Sequence, residues 1–208
     1  LNLVNNKNVL IDDAVDSFCL PNCKLMPSGG EFEIWSLNKT FGCLGGGVLW
    51  CKDIESAEII RKLRDNRKSF TNIRWFIRWL SIYNPSLVQI WFGQEMFGGE
   101  PPDWSLNQIK DSINNWSDIK EKRYQRIKLV MEILRIKMEY DPLRLPTVIP
   151  FKEKDPKKIS ILKNKYGLNE LNFSFKKHSF YEPVIPIPVH QDIEISKLKE
   201  IIYLLKNK

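Results

Sequence analysis

Prolines limit where helices can form in the second half of this 208-residue chain. A proline inside a helix removes a backbone hydrogen bond, and its ring clashes with the preceding turn. We therefore expect a connector without helix over residues 141–151 and an extended segment over 183–189. The prolines of these two clusters are Pro142, Pro146, Pro150, Pro183, Pro186 and Pro188.

Helical patterns occupy much of the remaining chain, because apolar residues recur there at the spacing of one helix face. Asp53 can cap the first of these helices, and the pair Asp155 and Pro156 is typical of a helix start. Gly167 suits a left-handed residue that ends a helix. The predicted helices include 53–66, 117–140, 156–167 and a C-terminal helix that begins at Asp192 or Ser196.

Strand patterns are fewer and lie mainly near the N-terminus. Residues 31–35 alternate polar and apolar side chains, and 41–50 predicts one or two more strands around three glycines. The predicted fold class is α+β, mainly helical, with a small antiparallel β element near the N-terminus. We expect one compact domain in three parts: a cysteine-containing arm and β meander over 1–52, a helical core over 53–140, and a proline-punctuated segment with two helices and a strand over 141–208.

Positive charge is concentrated after the first quarter of the chain. Residues 1–52 carry four Lys or Arg against five Asp or Glu, whereas residues 53–208 carry 28 against 20. A basic surface favours phosphate, nucleic acid or an anionic membrane. We predict that nucleic acid or an anionic lipid surface binds to Arg61, Lys62, Arg64, Arg67, Lys68, Arg74 and Arg78.

All four cysteines lie within the first 51 residues: Cys19, Cys23, Cys43 and Cys51. Buried thiols without bridges, two disulfides and a structural zinc site are three readings of this spacing. The first pair suits a zinc knuckle, but the second pair is spaced too widely for one. Packing by unbridged thiols is the favoured interpretation.

The common catalytic motifs are missing from the sequence. Only two histidines occur, His178 and His190, and neither lies in a recognisable motif. Glu31, Glu33 and Lys39 could form a nuclease-like set, but their spacing matches no signature. The glycines at 45–47 precede a strand-like segment, which favours a hairpin turn or bulge over a phosphate loop. We expect no catalytic residues, no cofactor and no metal.

The proline-rich segment near the C-terminus is a predicted partner-binding arm. Extended apolar segments of this kind dock in grooves or add to a neighbouring sheet. The alternative is that the arm lies across the protein's own core. A second prediction is self-association through this arm and the helix after it. The predicted contact residues are Pro183, Val184, Ile185, Pro186, Ile187 and Pro188.

These features favour a non-enzymatic structural or assembly protein with a basic face. By size, charge and composition alone the chain resembles matrix-like proteins of enveloped RNA viruses, although no motif carries this resemblance. One alternative is an accessory or virulence factor that binds a host protein, and another is a small metal-dependent nucleic-acid enzyme. No apolar run is long enough to span a membrane and no signal peptide is visible, so an intracellular location is favoured.

Overall fold

The computed structural model describes residues 8–43, 46–66, 76–77, 79–81, 83–84, 87, 103–174 and 181–207. The fold is mixed, with 48% helix and 20% strand, which confirms the predicted combination of helices and strands. The strands form three sheets and are not confined to the N-terminus, so the prediction of one small antiparallel element is wrong. Among the described residues, no helix has the length and apolarity that crossing a bilayer requires.

The strands are β1 Ile11–Asp13, β2 Ser17–Cys19, β3 Phe32–Ser36, β4 Gly47–Cys51, β5 Arg144–Pro146, β6 Val148–Phe151, β7 Leu171–Ser174 and β8 Tyr181–Pro188. The helices are α1 Leu37–Phe41, α2 Ile54–Asp65, α3 Asp103–Asn114, α4 Trp116–Leu134, α5 Pro156–Tyr166 and α6 Ile195–Lys206.

The chain divides into two compact units. The first contains residues 1–16 and 22–115, and the second contains 17–21 and 116–208. The three-part division expected from the sequence, with boundaries after residues 52 and 140, stays a prediction.

The first unit contains a three-stranded sheet in the order β1-β3-β4. Strand β3 pairs in parallel with β1 and antiparallel with β4. Strand β1 has only three residues, Ile-Asp-Asp, which is too short for an alternating pattern to reveal it. For that reason the sequence predicted a meander and missed the parallel strand.

A five-residue helix, α1, stands between β3 and β4. Ser36 ends β3 and also caps α1, since its side chain accepts from the backbone N–H of Lys39 at 3.5 Å. Gly42 closes the helix with φ of 73°, a left-handed conformation that glycine adopts without steric cost.

Two predicted helices are confirmed with their caps. In α2 the carboxylate of Asp53 accepts from the backbone N–H and the hydroxyl of Ser56, and these bonds lower the pKa of Asp53. In α5 Asp155 is the N-cap and Gly167 the left-handed C-cap, as expected from the sequence.

The second unit holds a three-stranded antiparallel sheet in the order β6-β8-β7. Its central strand β8 is the proline-rich segment, so the expected extended conformation is confirmed. Val184, Ile185 and Ile187 of this strand are buried. A second pairing, of β2 with β5, belongs to the same unit.

Helix α4 ends at Leu134, six residues before the predicted end, because Arg135 adopts a left-handed φ of 54°. Two of its cations, Arg123 and Arg126, are buried. The Arg123 side chain is 0% exposed and lies 4.9 Å from the ring centroid of Phe18. Its Nε donates to Gln191 Oε1 at 2.7 Å, and burial lowers the pKa of Arg123 to about 10.

The Arg123–Gln191 bond gives a stability test. Gln191→Leu removes the acceptor of a buried guanidinium N–H, and this loss should lower the free energy of unfolding by about 1.5–3 kcal/mol. Urea unfolding followed by circular dichroism measures the change. The matched control is Gln125→Leu, because Gln125 lies on the exposed face of α4, the helix that carries Arg123, and donates to Glu121. Equal losses in the two variants would contradict a specific role for the buried bond.

Candidate functional site

The parallel pair β1–β3 brings two chain segments together at one edge of the first unit's sheet. Parallel strands end at the same edge, and ligand sites of α/β folds lie beyond such carboxyl ends. Strand β1 ends at Asp13 and is followed by Asp16, whereas β3 ends at Ser36 and is followed by Lys39. Lys39 Nζ lies 2.8 Å from Asp16 Oδ1. The edge therefore carries an amine and a carboxylate in direct contact.

Local structure holds Lys39 at this edge. The residue lies in the middle of α1, which Ser36 caps at one end and Gly42 closes at the other. The side-chain amide of Asn38 donates to the backbone carbonyl of Cys43 at 2.8 Å and ties the residues after the helix to it. The Lys39 side chain is 49% exposed, so reagents can reach its amine.

Asp13 lies on the same face of the sheet as Ser36. Its register partner on β3 is Ile34, and residues two apart on a strand share a face. The Asp13 side chain is exposed, and its Oδ1 accepts from the backbone N–H of Val15 at 3.0 Å. A second carboxylate and a hydroxyl therefore lie at the edge that carries Lys39.

Asp12 has a different role, because its carboxylate lies on the other face of β1. Asp12 Oδ1 accepts from the backbone N–H of Ser28 at 3.3 Å, and Oδ2 from that of Gly30 at 3.2 Å. Gly30 has no room for a side chain: a Cβ there would lie 2.7 Å from Asp12 Oδ2 and 2.9 Å from the Leu10 carbonyl oxygen. The bonds fix the turn over 26–30 to β1.

The predicted anion-binding residues fall partly within the described structure. Arg61, Lys62 and Arg64 are exposed on α2, and Arg64 pairs with Asp65 at 2.8 Å. Their predicted role in binding an anionic surface stays a prediction. The other residues of that prediction lie outside the described residues: Arg67, Lys68, Arg74 and Arg78.

The predicted partner-binding arm, Pro183 to Pro188, lies within strand β8 of the second unit's sheet. Its partner-binding role stays a prediction. The four cysteines are not bridged by disulfides; Cys19 and Cys43 are buried, and Cys23 and Cys51 are partly exposed. Across the described part of the chain, no cluster of three or more His, Cys, Asp or Glu side chains suits a metal ion.

The sequence names Lys39 only as a member of a nuclease-like set and leaves Asp13 and Asp16 within the cysteine-containing arm. Two local signals point to them in retrospect. Asp12 and Asp13 end a short apolar run, and Ser36 stands three residues before a lysine at a strand end. Neither signal indicates a kind of site by itself. Only the parallel pairing of β1 with β3 shows that the two segments meet.

A family model matches nearly the whole chain, residues 2–207, and its description is "Putative PLP-dependent aminotransferase". The chain belongs to this family. Membership of an aminotransferase family overturns the predicted non-enzymatic structural or assembly protein, its matrix-like and RNA-binding character, and the two alternatives offered with it. No curated protein matches the chain.

Solved structures show the same fold. A DegT DnrJ EryC1 StrS aminotransferase from Brucella abortus matches with a TM-score of 0.58 and 16% identity, over 95% of this chain and 56% of that one. An alanine–glyoxylate aminotransferase from a Nostoc species matches with a TM-score of 0.50 and 12% identity, over 95% and 53%. The chain thus spans little more than half the length of these aminotransferases.

The crowding at Gly30 gives a test of how the site edge is supported. Gly30→Ala should lower the free energy of unfolding by about 1–3 kcal/mol, because the added methyl group displaces the Asp12 carboxylate or the backbone at Leu10. Urea unfolding measures the loss. Ser28→Ala is the control, since it removes only an exposed hydroxyl from the same turn and should change stability by less than about 0.5 kcal/mol. A neutral Gly30→Ala would rule out the close packing of this turn on β1.

Proposed function

We propose that this chain carries the cofactor-anchoring lysine and acid of a pyridoxal-phosphate-dependent aminotransferase. The ion pair of Lys39 with Asp16, at the carboxyl edge of a parallel strand pair in a member of this family, is the observation that supports the proposal. Because the chain spans about half of its structural relatives, the activity of the whole protein belongs to the proposal as well.

The side chains at this edge fit the cofactor's requirements. Pyridoxal phosphate bonds to a lysine amine and uses an acidic partner at its ring nitrogen. When bound, it acts as an electron sink that stabilises negative charge at the α-carbon of an amino substrate. Lys39 supplies the amine, and the nearby aspartates supply the acid.

Among the three aspartates near β1, we assign Asp13 to the ring nitrogen. Both oxygens of Asp12 accept backbone N–H groups on the other face of the sheet. Asp16 is engaged with the Lys39 ammonium. Asp13 is exposed on the face that also carries Ser36, so its carboxylate can accept from a ligand at this edge.

In the proposed site Asp16 binds and positions the amine of Lys39. Its Oδ1 neutralises the protonated amine at 2.8 Å and holds Nζ near the strand ends. A lysine must lose its proton before it acts as a nucleophile. Asp16 is the carboxylate in contact with that proton, and Asn38 and Gly42 keep the helix that carries Lys39 in place.

We further propose an intracellular location. Four cysteines without disulfides agree with a reducing compartment, where thiols are kept unbridged.

Covalent trapping tests the assignment of Lys39. Borohydride fixes pyridoxal phosphate to the amine that holds it, and peptide mass spectrometry then locates the label. We expect the label on Lys39 and its loss in Lys39→Arg, which keeps the charge but cannot bond to the cofactor. Lys52→Arg is the matched control, because Lys52 is an exposed lysine of the same unit. Labelling spread evenly over exposed lysines would contradict the proposal.

A second test addresses Asp13. Asp13→Asn replaces a charged acceptor by a neutral one, and loss of a hydrogen bond to a charged group costs about 1.5–3 kcal/mol. The Kd for pyridoxal phosphate, measured by absorbance titration, should therefore rise about 10- to 150-fold. Asp103→Asn, an exposed aspartate on α3, should leave the Kd unchanged. An unchanged Kd in Asp13→Asn would reject this assignment.

A further inference from the structure

Glu33 is a carboxylate inside the first unit that the proposed chemistry does not use. It lies in β3, and its side chain is 0% exposed. It faces away from the side of the sheet that carries Ser36, since the two residues are three apart on one strand. Burying a carboxylate is unfavourable unless hydrogen bonds replace its water, so the partners of Glu33 indicate its role.

Each carboxylate oxygen of Glu33 accepts from a different donor. Oε1 accepts from the indole N–H of Trp35, and Oε2 accepts from the backbone N–H of Met26. Met26 has a left-handed φ of 50°, which is uncommon for a residue other than glycine. Glu33 therefore fixes both a neighbour on its own strand and a strained turn.

The same turn is fixed by a second carboxylate at the same level of the sheet. Asp12 is the register partner of Glu33 across the parallel pair, and it accepts from Ser28 and Gly30. The two acids together hold three backbone N–H groups of the turn over 26–30. Strands β1 and β3 are thus attached to a common segment just below their carboxyl ends.

Trp35 connects Glu33 to the proposed site. It directly precedes Ser36, the residue that caps α1, and Lys39 follows three residues later. The Trp35 ring is nearly buried and meets the ring of Trp50 on β4 edge-on, with centroids 5.3 Å apart. A displacement of Trp35 would move the start of α1 and with it the amine of Lys39.

We propose that Glu33 is a positioning residue for Lys39, acting through Trp35 and the end of β3. The inference rests on the proposed function for its purpose, but the placement of Lys39 can be measured without the cofactor. A carboxylate is required here because two N–H donors converge on it. A glutamine would accept one of them and turn its own NH₂ group towards the other.

The first experiment compares Glu33→Gln with Glu31→Gln in the full chain. Glu31 is a partly exposed glutamate two residues earlier and provides a matched change of charge. Reductive ¹³C-methylation reports each lysine as a separate resonance. In Glu33→Gln the Lys39 resonance should move towards that of exposed Lys52, and its labelling rate should change by about threefold or more, equivalent to about 0.7 kcal/mol. In Glu31→Gln both should match the wild type.

The second experiment is a double-mutant cycle with Trp35→Phe, which removes the indole N–H and keeps an aromatic ring. If Glu33 acts through that N–H, Trp35→Phe should shift the Lys39 resonance less in the Glu33→Gln background than in the wild-type background. Additive changes would overturn the inference. Should Glu33→Gln fail to fold, Trp35→Phe alone decides, because it must shift the Lys39 resonance for the inference to stand.

The two proposals can fail separately. If wild-type protein does not bind pyridoxal phosphate at Lys39, the proposed function fails, while the shift of the Lys39 resonance still decides the positioning role. If the wild type binds the cofactor and Glu33→Gln leaves both the Lys39 resonance and the Kd unchanged, the positioning role is wrong and the proposed function stands. With both correct, Glu33→Gln should raise the Kd about fivefold or more, and Glu31→Gln should not.

Discussion

The parallel pairing of β1 with β3 is the constraint on which the candidate site depends. Parallel strands end at one edge, so the residues after Asp13 and those after Ser36 meet although they are far apart in sequence. An antiparallel pairing of the same strands would place the two segments at opposite edges. The contact of Lys39 with Asp16 is therefore a consequence of strand direction.

Each unit contains a buried charged side chain that holds its neighbours through hydrogen bonds. In the first, Glu33 accepts from Trp35 and Met26, and in the second, Arg123 donates to Gln191 and lies against the Phe18 ring. A charged group without water requires directional partners, whereas an apolar side chain of similar size does not. Such groups therefore favour one arrangement of their neighbours over others of similar compactness.

Local features of the fold could be predicted from the sequence, and non-local ones could not. The ends of α2 and α5 follow from Asp53, Asp155 and Gly167, because a cap acts within a few residues of itself. Strand β1 escaped prediction because it has only three residues and pairs with a strand about twenty residues away. The burial of Arg123 could not be predicted, because charge normally excludes a side chain from the core. The contact of Lys39 with Asp16 could not be predicted, because it joins residues from two separate segments of the chain.

The prolines of β8 have a consequence for strand alignment. Pro150 of β6 faces Pro186 of β8, and neither can donate, so this position is a pair that exchanges no hydrogen bonds. Sliding β8 by one residue would place a proline where the ladder needs an N–H, and would also exchange the faces of the sheet on which Val184 and Ile187 are buried. The residues that prevent a helix here thus also exclude a one-residue misalignment of the sheet.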